Sequence, residues 1–339
     1  MKLVALAGGV GGAKLAQGLA LTPTLTLPRD EKMSQGREQR PLPLQHGGRA
    51  RDGGFLTIVV NTGDDFELYG LHISPDLDTV MYTLAGLANP ITGWGLADET
   101  FNFLAALQRL GVETWFKLGD HDLATHVRRT ELLKQGKTLT EATQIIARSL
   151  NVRPTILPMT DDRFRTIVKT DQGELEFQEY FVHRHWQPMI KGIEFDGVEN
   201  AHPTRQVLAA LEDAEAIIIC PSNPFVSIDP ILTLTHQGVG GNKGGGQRPV
   251  VAVSPIVGGQ AIKGPAAKMF RELGIEPSAL AVAQHYQGLV THFVLDRVDD
   301  DQENEIQLLG LRTLVVDTVM KSIDDRVRLA NEIIEFITE

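Results

Sequence analysis

The chain of 339 residues has little of what a secreted, membrane-spanning or disulfide-stabilised protein needs. It holds one cysteine, Cys220, which excludes an internal disulfide and a metal site built from clustered thiolates. No apolar run approaches the ~18 residues that cross a bilayer. The apolar start, residues 3–7, runs into glycines and has no small-residue cleavage site, which argues against a signal peptide. The sequence therefore predicts a cytoplasmic protein that has no membrane partner.

Basic residues are also in the minority. Lysine and arginine total 32 against 43 acidic residues, and the formal net charge is −11. Nucleic-acid binding needs clustered lysines and arginines, so we expect no nucleic-acid partner. Any phosphate must be bound locally, by backbone amides, a few basic side chains or a metal ion. Hydrophobic residues make up 42% of the chain, which is typical of a folded globular protein.

A glycine-rich loop follows the first predicted strand. Residues 2–7 are mostly aliphatic, the glycines follow at once, and an apolar helical stripe begins at Leu15. Strand, glycine loop and helix open many nucleotide-binding units, because glycines let backbone N–H groups approach a phosphate. Lys14 is not followed by Ser or Thr as in a Walker A loop, and it replaces the third glycine of a dinucleotide fingerprint. The predicted phosphate-binding residues are Gly8, Gly9, Gly11 and Gly12, and a tight turn without a ligand is the alternative.

Strands alternate with helices along most of the chain, and several of the strands are wholly apolar. This pattern predicts an α/β fold with a Rossmann-like, doubly wound, mainly parallel sheet that is covered on both faces. Two stretches that are rich in glycine and lack apolar periodicity are predicted to be insertions, a disordered one at 22–54 and a flexible one at 238–249. We predict three units: a glycine-loop half with a helical region (1–150), a small β-rich excursion with a strand at 174–182 (151–200), and a second α/β half (201–339).

Acidic residues cluster after the second predicted strand. The segment Asn61-Thr62-Gly63-Asp64-Asp65 begins where that strand ends, and ligands bind at the carboxyl ends of strands in such sheets. Adjacent carboxylates suit Mg²⁺, which is commonly bound through one or two carboxylates plus substrate phosphates. Asp64 and Asp65 are therefore the predicted metal ligands, and a solvated turn is the alternative.

Charged residues in two later segments have less certain roles from spacing alone. Ser74 or Asp76 is expected to cap the helix that follows, and Asp76 and Asp78 should point to different sides of it. Lys117, among apolar neighbours, either extends its amine to solvent or faces an anion. The run Arg128-Arg129-Thr130 is typical of a solvated basic helix face.

Small polar side chains follow the predicted strand that ends at Cys220. Ser222 and Asn223 lie between two prolines at that strand end, a common place for ligand binding. Ser222 lacks the G-x-S-x-G context of a hydrolase nucleophile. Cys220 itself is expected to be a buried core residue.

These segments together resemble one family. The blocks that carry the resemblance lie in order along nearly the whole chain and include AGGVGGAK (7–14), NTGDD (61–65), SPDLDTVMYTL (74–84), FKLGDHDLATH (116–126), SNPFVSIDPIL (222–232) and AVSPIVGG (252–259). They look like those of the 2-phospho-L-lactate transferase family of coenzyme F-420 biosynthesis. The two insertions depart from the family but fall in connections between elements.

The resemblance implies a Mg²⁺-dependent transfer from a guanosine diphosphate ester of lactate or enolpyruvate to the ribityl hydroxyl of the deazaflavin Fo. The products are F-420-0, or its dehydro form, and GMP, and family members are generally homodimers. By the same resemblance, Asp64 binds the metal and is catalytic, and Asp78 and Lys117 hold the acceptor. Asp78 is also a candidate catalytic base, which the sequence does not separate from positioning. The glycine loop, Ser222 and Asn223 match the nucleotide side, and GGVGGAK looks more like the bacterial form, which favours enolpyruvyl.

Two other classes of function are compatible with the fold. A non-catalytic nucleotide-sugar-binding regulator would have no need of the acceptor-side blocks SPDLDT and KLGDHD. A nicotinamide-dependent oxidoreductase is disfavoured by Lys14 at the third glycine position and by the lack of a clear acidic residue at ribose distance.

Overall fold

The computed structural model describes residues 1–22, 56–240 and 248–339. Its centre is a seven-stranded sheet in which every neighbouring pair of strands is parallel. In chain order, the strands of this sheet are β1 (Leu3–Ala7), β2 (Leu56–Val60), β5 (Thr155–Pro158), β9 (Ala216–Ile219), β10 (Val250–Val253), β13 (His292–Asp296) and β14 (Arg312–Val316).

The order of strands across the sheet creates a switch point beside the glycine loop. The order is β14-β13-β10-β9-β1-β2-β5, so the chain builds outwards from β1 in one direction and from β9 in the other. At such a point the connections after two neighbouring strands diverge and leave a crevice at the carboxyl edge. Gly8, which follows β1, and Ser222, which follows β9, lie at this crevice.

Helices cover both faces of the sheet, as the apolar strands predict. Side chains of β1 alternate between the faces, with Leu3 and Ala5 in one core and Val4 and Leu6 in the other. One face packs against α1 (Gly9–Leu21), α2 (Pro75–Ala85), α4 (Asp120–Lys134), α5 (Leu139–Ser149) and α11 (Ile323–Thr338). The other face packs against α6 (Arg205–Asp213), α7 (Asp229–Val239), α8 (Ala266–Glu272), α9 (Ala279–His285) and α10 (Glu303–Leu308). The Rossmann-like doubly wound fold is therefore confirmed.

Short antiparallel sheets lie outside the central one. One has three strands, in the order β7-β6-β8, and packs against the core that contains Val4 and Leu6. The other two are two-stranded hairpins. The strands of these three sheets are β3 (Phe66–Leu68), β4 (Leu71–Ile73), β6 (Arg165–Thr170), β7 (Gly173–Glu176), β8 (Ile190–Asp196), β11 (Ile256–Val257) and β12 (Gln260–Ala261). Within the helical region of the glycine-loop half, α3 (Asn102–Arg109) is a short amphipathic helix.

Two details differ from the expected elements. The predicted strand 174–182 is wrong beyond Glu176, because a π-helical turn, Glu179–His183, buries Tyr180 in the core. Strand β5 lies within the expected excursion but pairs with β2 at the edge of the central sheet. Most of the insertion expected to be disordered, 22–54, and residues 241–247 of the flexible one lie outside the described residues. Within the described ranges, no helix is long and apolar enough to cross a membrane.

Candidate active site

Asn61 is the centre of a polar cluster at the switch point. It follows β2, and its Nδ2 atom donates to Asp64 Oδ1 at 2.8 Å and to Asp76 Oδ2 at 2.9 Å. The backbone carbonyl of Val226 lies 3.2 Å from the same Nδ2 atom. Its Oδ1 atom accepts from the Gly63 N–H at 2.8 Å, which holds the loop in an Asx turn. One amide side chain therefore draws the loop after β2, the start of α2 and the segment after β9 together.

Three carboxylates are buried around this amide. Asp64, Asp65 and Asp76 have exposed fractions of 5%, 2% and 6%. Burial and the nearby Asp76 carboxylate raise the pKa of Asp64 well above its usual value, and the Asn61 hydrogen bond offsets part of that rise. Burial likewise raises the pKa of Asp76 to about 6, against hydrogen bonds from Asn61 and the Gly9 N–H. The cluster therefore holds more negative charge than its hydrogen bonds stabilise.

The donor set fits a divalent cation at the predicted position. Asp65 Oδ2 accepts from Ser74 Oγ at 2.7 Å and lies 3.1 Å from His72 Nε2. Asp65 Oδ1 is buried and has no hydrogen-bond partner among the described residues. An unpaired buried carboxylate oxygen costs free energy unless a cation or donor meets it. Asp64 and Asp65 thus suit Mg²⁺ completed by substrate phosphates and water.

The glycine loop packs tightly against the segment that follows β9. Ser222 Oγ donates to the Gly8 carbonyl at 2.8 Å, and the Gly9 N–H at the start of α1 donates to Asp76 Oδ1 at 2.7 Å. A Cβ atom on Gly11 would overlap the Pro221 carbonyl oxygen, and one on Gly12 would lie 2.7 Å from Ser222 Oγ. Close packing alone therefore requires glycine here, and phosphate binding by this loop stays a prediction.

Ser222 and Asn223 are held at the same edge in different ways. Ser222 is buried and bonded to Gly8, as above, whereas Asn223 begins the π-helical turn Pro224–Ile228. Asn223 Oδ1 accepts from the Phe225 N–H at 3.1 Å, and among the described residues its amide nitrogen donates only to the Met269 thioether. A thioether is a weak acceptor, so the Asn223 amide keeps a strong donor free for a ligand.

Asp78 lies two residues after Asp76 on α2 and has a separate partner. Both of its carboxylate oxygens accept from the Arg129 guanidinium, which is 0% exposed. Burial raises the pKa of Asp78, and the facing guanidinium offsets part of the rise. Arg129 is thus not on a solvated basic face, and that expectation was wrong.

The expected helix cap was also wrong. Ser74 occupies the N-cap position of α2 but makes no capping hydrogen bond, because its hydroxyl donates to Asp65. Asp76 is drawn to Asn61 and Gly9 instead. Asp76 and Asp78 do point to different sides of the helix, as their spacing predicts.

Lys117 is exposed in an irregular segment that precedes α4. Among the described residues it makes no hydrogen bond or ion pair, so its amine is available to an anionic group. Its predicted role in holding the acceptor, and that of Asp78, stay predictions. The structure brings Asp64, Asp65, Asp76 and the glycine loop together and leaves Lys117 outside this cluster.

Three residues of this region were missed as site candidates. Asn61 and Asp76 lie inside segments that drew attention, but carboxylates were favoured over the amide, and Asp76 was interpreted as a cap. Arg129 had a visible signal, since Asp122, His126 and Arg129 recur at spacings of four and three and share one face of α4.

Comparison with known proteins supports the resemblance. A family model described as 2-phospho-L-lactate transferase CofD matches residues 3–329. The 2-phospho-L-lactate transferase of Methanopyrus kandleri is 36% identical over 100% of this chain and 98% of its own length. The phosphoenolpyruvate transferase of Streptomyces avermitilis is also 36% identical, over 100% of this chain and 99% of its own.

A solved structure agrees at the level of the fold. A member of the UPF0052 family from Bacillus halodurans superposes with a TM-score of 0.57 at 14% identity, covering 100% of this chain and 98% of that one. At this identity the likeness concerns the fold alone. The family match over residues 3–329 is what shows that the chain belongs to the 2-phospho-L-lactate transferase CofD family of enzymes.

Proposed function

We propose that this transferase works in coenzyme F-420 biosynthesis and depends on Mg²⁺. It moves a phospholactate or phosphoenolpyruvate group from a guanosine diphosphate ester to the ribityl hydroxyl of the deazaflavin Fo. The hydroxyl oxygen bonds to the phosphorus that carries the lactate or enolpyruvate, and the bond from that phosphorus to the GMP oxygen breaks. The hydroxyl proton is released, and F-420-0 or its dehydro form leaves with GMP.

One observation carries this proposal beyond family membership. The buried carboxylates Asp64 and Asp65 lie at the switch point beside the glycine loop, and Asp65 Oδ1 has no partner among the described residues. Phosphoryl-type transfer needs charge neutralisation and alignment rather than a covalent enzyme intermediate. A cation held by this carboxylate pair, next to a phosphate held by the glycine loop, would supply that chemistry.

The residues divide into three roles. Asp64 and Asp65 would hold Mg²⁺, which when bound neutralises charge that develops on the diphosphate. Residues 8–12 and Ser222 with Asn223 would hold the nucleotide side. Asp78 and Lys117 would hold the acceptor, with the Lys117 amine facing anionic character on the deazaflavin.

A product assay tests the proposal directly. The protein is incubated with Fo, Mg²⁺ and either lactyl- or enolpyruvyl-diphosphoguanosine, and the products are identified by mass spectrometry. Relatives with the two names are equally similar to this chain, at 36% identity, so both esters are required. We expect phosphodiester product and GMP in equal amounts, with none after chelation of the metal.

Two controls sharpen the result. Asp300→Asn removes an exposed carboxylate far along the chain and should keep the wild-type rate, whereas Asp64→Asn should not. Binding of a nucleotide without turnover of either ester would instead favour a non-catalytic regulator. A cytoplasmic location and a homodimer accompany this proposal as predictions.

A further inference from the structure

Arg129 is a buried cation for which the transfer chemistry above has no use. It lies on α4, is 0% exposed, and faces α2 rather than solvent. Its neighbour Arg128 is exposed and pairs with Glu131 on the surface. Burying a guanidinium is costly unless its donors are met, so its partners reveal what it holds in place.

The first partner is the predicted acceptor residue. Two guanidinium nitrogens of Arg129 donate to the two carboxylate oxygens of Asp78 in a bidentate pair. Such a pair fixes the plane of the carboxylate as well as its position. It also gives Asp78 a partner before any substrate arrives, so the carboxylate is held in one orientation as a hydrogen-bond acceptor.

Further partners extend the network along α4. Arg129 Nη1 lies 3.3 Å from His126 Nδ1, and His126 Nε2 lies 3.3 Å from Asp122 Oδ1. Because arginine only donates, His126 Nδ1 can pair with Arg129 only as an acceptor, and the same Nδ1 lies 3.6 Å from Asp78 Oδ2. Ligand atoms of Asp78, Asp122 and His126 lie within 4.8 Å of one another. The Arg129 guanidinium supplies the positive charge beside these three side chains. We therefore interpret them as the charged and polar surroundings of Arg129 rather than as a metal site.

The same helix also reaches the metal side of the site. The Thr130 hydroxyl accepts from the His72 N–H at 2.8 Å, and His72 Nε2 lies 3.1 Å from Asp65 Oδ2. Arg129 Nη1 approaches the His72 carbonyl at 3.5 Å. Residues 129 and 130 therefore contact both the acceptor carboxylate and the strand whose histidine touches a predicted metal ligand.

We propose that Arg129 is a positioning residue of the transfer reaction, which fixes Asp78 for the acceptor and sets its place relative to the Asp65 side of the site. The inference rests on the proposed function, because it assumes that Asp78 contacts Fo. It predicts that Arg129 governs acceptor binding while leaving the guanosine nucleotide side intact.

The test compares three variants with the wild-type protein. Arg129→Lys keeps the charge but loses the fork, and Asp78→Asn combined with Arg129→Gln replaces the buried ion pair by two neutral amides, the second of them shorter than arginine. Arg128→Met is the matched control, since it removes an exposed arginine one residue away. For each, we would measure the melting temperature, the dissociation constant of Fo by fluorescence, that of GDP, and both KM values.

The expected results separate a positioning role of Arg129 from a role in folding. The double variant should melt within a few degrees of wild type, because no unpaired charge stays buried, yet bind Fo at least tenfold more weakly with GDP affinity within threefold. Arg129→Lys should fall between wild type and the double variant in its KM for Fo. Arg128→Met should match wild type throughout.

Other outcomes would overturn the inference. A double variant that folds and binds Fo within threefold of wild type would give the pair a purely structural role. Equal losses of Fo and GDP binding in Arg129→Lys would do the same, and this variant serves if the double variant does not fold. Failure of the wild-type protein itself to bind Fo would contradict the proposed function instead, so the two failures are distinguishable.

Discussion

The Asn61 amide sets how the buried carboxylates share hydrogen-bond donors. Its Nδ2 carries two hydrogens, and both Asp64 and Asp76 compete for them. A carboxylate has about four acceptor positions, so one amide leaves most of the negative charge unmet. Burial raises the pKa values of Asp64 and Asp76, and the hydrogen bonds from Asn61 offset only part of that rise. A cation at this place would reverse that imbalance, which is why the cluster suits a metal-dependent reaction.

Replacing Asp64 by asparagine should slow turnover about a hundredfold without loss of stability. The neutral amide removes one predicted metal ligand and with it an electrostatic contribution to the barrier of about 3 kcal/mol, or some hundredfold in kcat. It also relieves repulsion among buried carboxylates, so the melting temperature should stay level or rise. Steady-state kinetics and calorimetry check both parts, with Asp300→Asn as the control. A variant with the wild-type rate at limiting Mg²⁺ would remove Asp64 from the metal site.

His292 is a buried side chain far from the site, and its pKa is lowered by burial, whereas those of Asp64 and Asp76 are raised. It is the first residue of β13, is 6% exposed, and pairs across the sheet with Arg312. Its Nδ1 lies 2.7 Å from Thr291 Oγ1, and its Nε2 lies 3.3 Å from the Arg312 guanidinium. Since the guanidinium can only donate, a proton on Nε2 would face it directly. Burial first, and then Arg312, lower the pKa of His292 to about 4.

His292 should therefore make stability fall in mild acid. Between pH ~6.5, the ordinary histidine pKa, and about 4, the His292 side chain is protonated in the unfolded chain and neutral in the folded protein. Stability then rises with pH across this window, and up to about 3 kcal/mol is lost on going down it. Urea unfolding at several pH values should show a flatter profile for His292→Asn. His185→Asn, at an exposed histidine, should keep the wild-type profile, and parallel profiles for all three proteins would count against this reading.

Helices α1 and α11 approach each other unusually closely. A Cβ atom on Gly18, in the middle of α1, would overlap the backbone carbonyl of Arg326 in α11. Arg326 also donates to Gln17, whose amide in turn donates to the Thr83 carbonyl of α2. These contacts fix α1 between α2 and α11, and they fix the first turn of α1 at the switch point. Packing at Gly18 thus contributes to the position of the glycine loop.

Gly18→Ala should destabilise the protein although alanine favours helices. The added methyl meets backbone rather than a movable side chain, so the helices must separate at a cost of about 1–3 kcal/mol. Gly192→Ala is the matched control, because nothing lies within 4 Å of the Cβ it would gain. Urea midpoints measured side by side should drop only for Gly18→Ala. Equal midpoints would show that α1 and α11 can shift apart freely.

At the scale of the whole molecule, one topological feature brings the predicted ligand-binding segments together. The glycine loop, the loop after β2 and the segment after β9 are far apart in sequence, and the strand order makes them neighbours. A ligand bound there would contact segments from both halves of the sheet, the half that extends from β1 and the half that extends from β9. Ligand binding should therefore stabilise the entire fold rather than one loop.

GDP and Mg²⁺ should raise the melting temperature together. A ligand at a hundred times its dissociation constant stabilises the folded state by about 2.7 kcal/mol, which is several degrees in a protein of this size. We expect a clear shift with GDP plus Mg²⁺ and a smaller one with GDP plus a chelator. In Asp64→Asn the two shifts should become equal, as measured by scanning calorimetry. An identical shift with and without Mg²⁺ in the wild type would place the metal away from the nucleotide.

Local sequence patterns predict the fold class and the loops that carry the predicted site residues. Apolar runs fixed β1, β2, β9 and β10 nearly to the residue, because a strand buried on both faces needs an unbroken apolar run. The same local reasoning placed Asp64, Asp65 and Ser222 at strand ends. Strand β5, short and preceded by a helix, escaped it, since nothing local says which sheet a strand joins. The short hairpin strands β3, β4, β11 and β12 escaped it as well.

Only the tertiary structure decided which polar side chains meet. Asp76 and Asp78 are equivalent in sequence terms, but the first faces Asn61 and Gly9 and the second faces Arg129. Arg129 and Arg128 are adjacent, yet one is buried and the other exposed. The physical reason is that helical periodicity in a sequence reveals a buried face only where that face is apolar. A buried charge depends instead on a partner from a distant element, and that partner is fixed only when the elements pack.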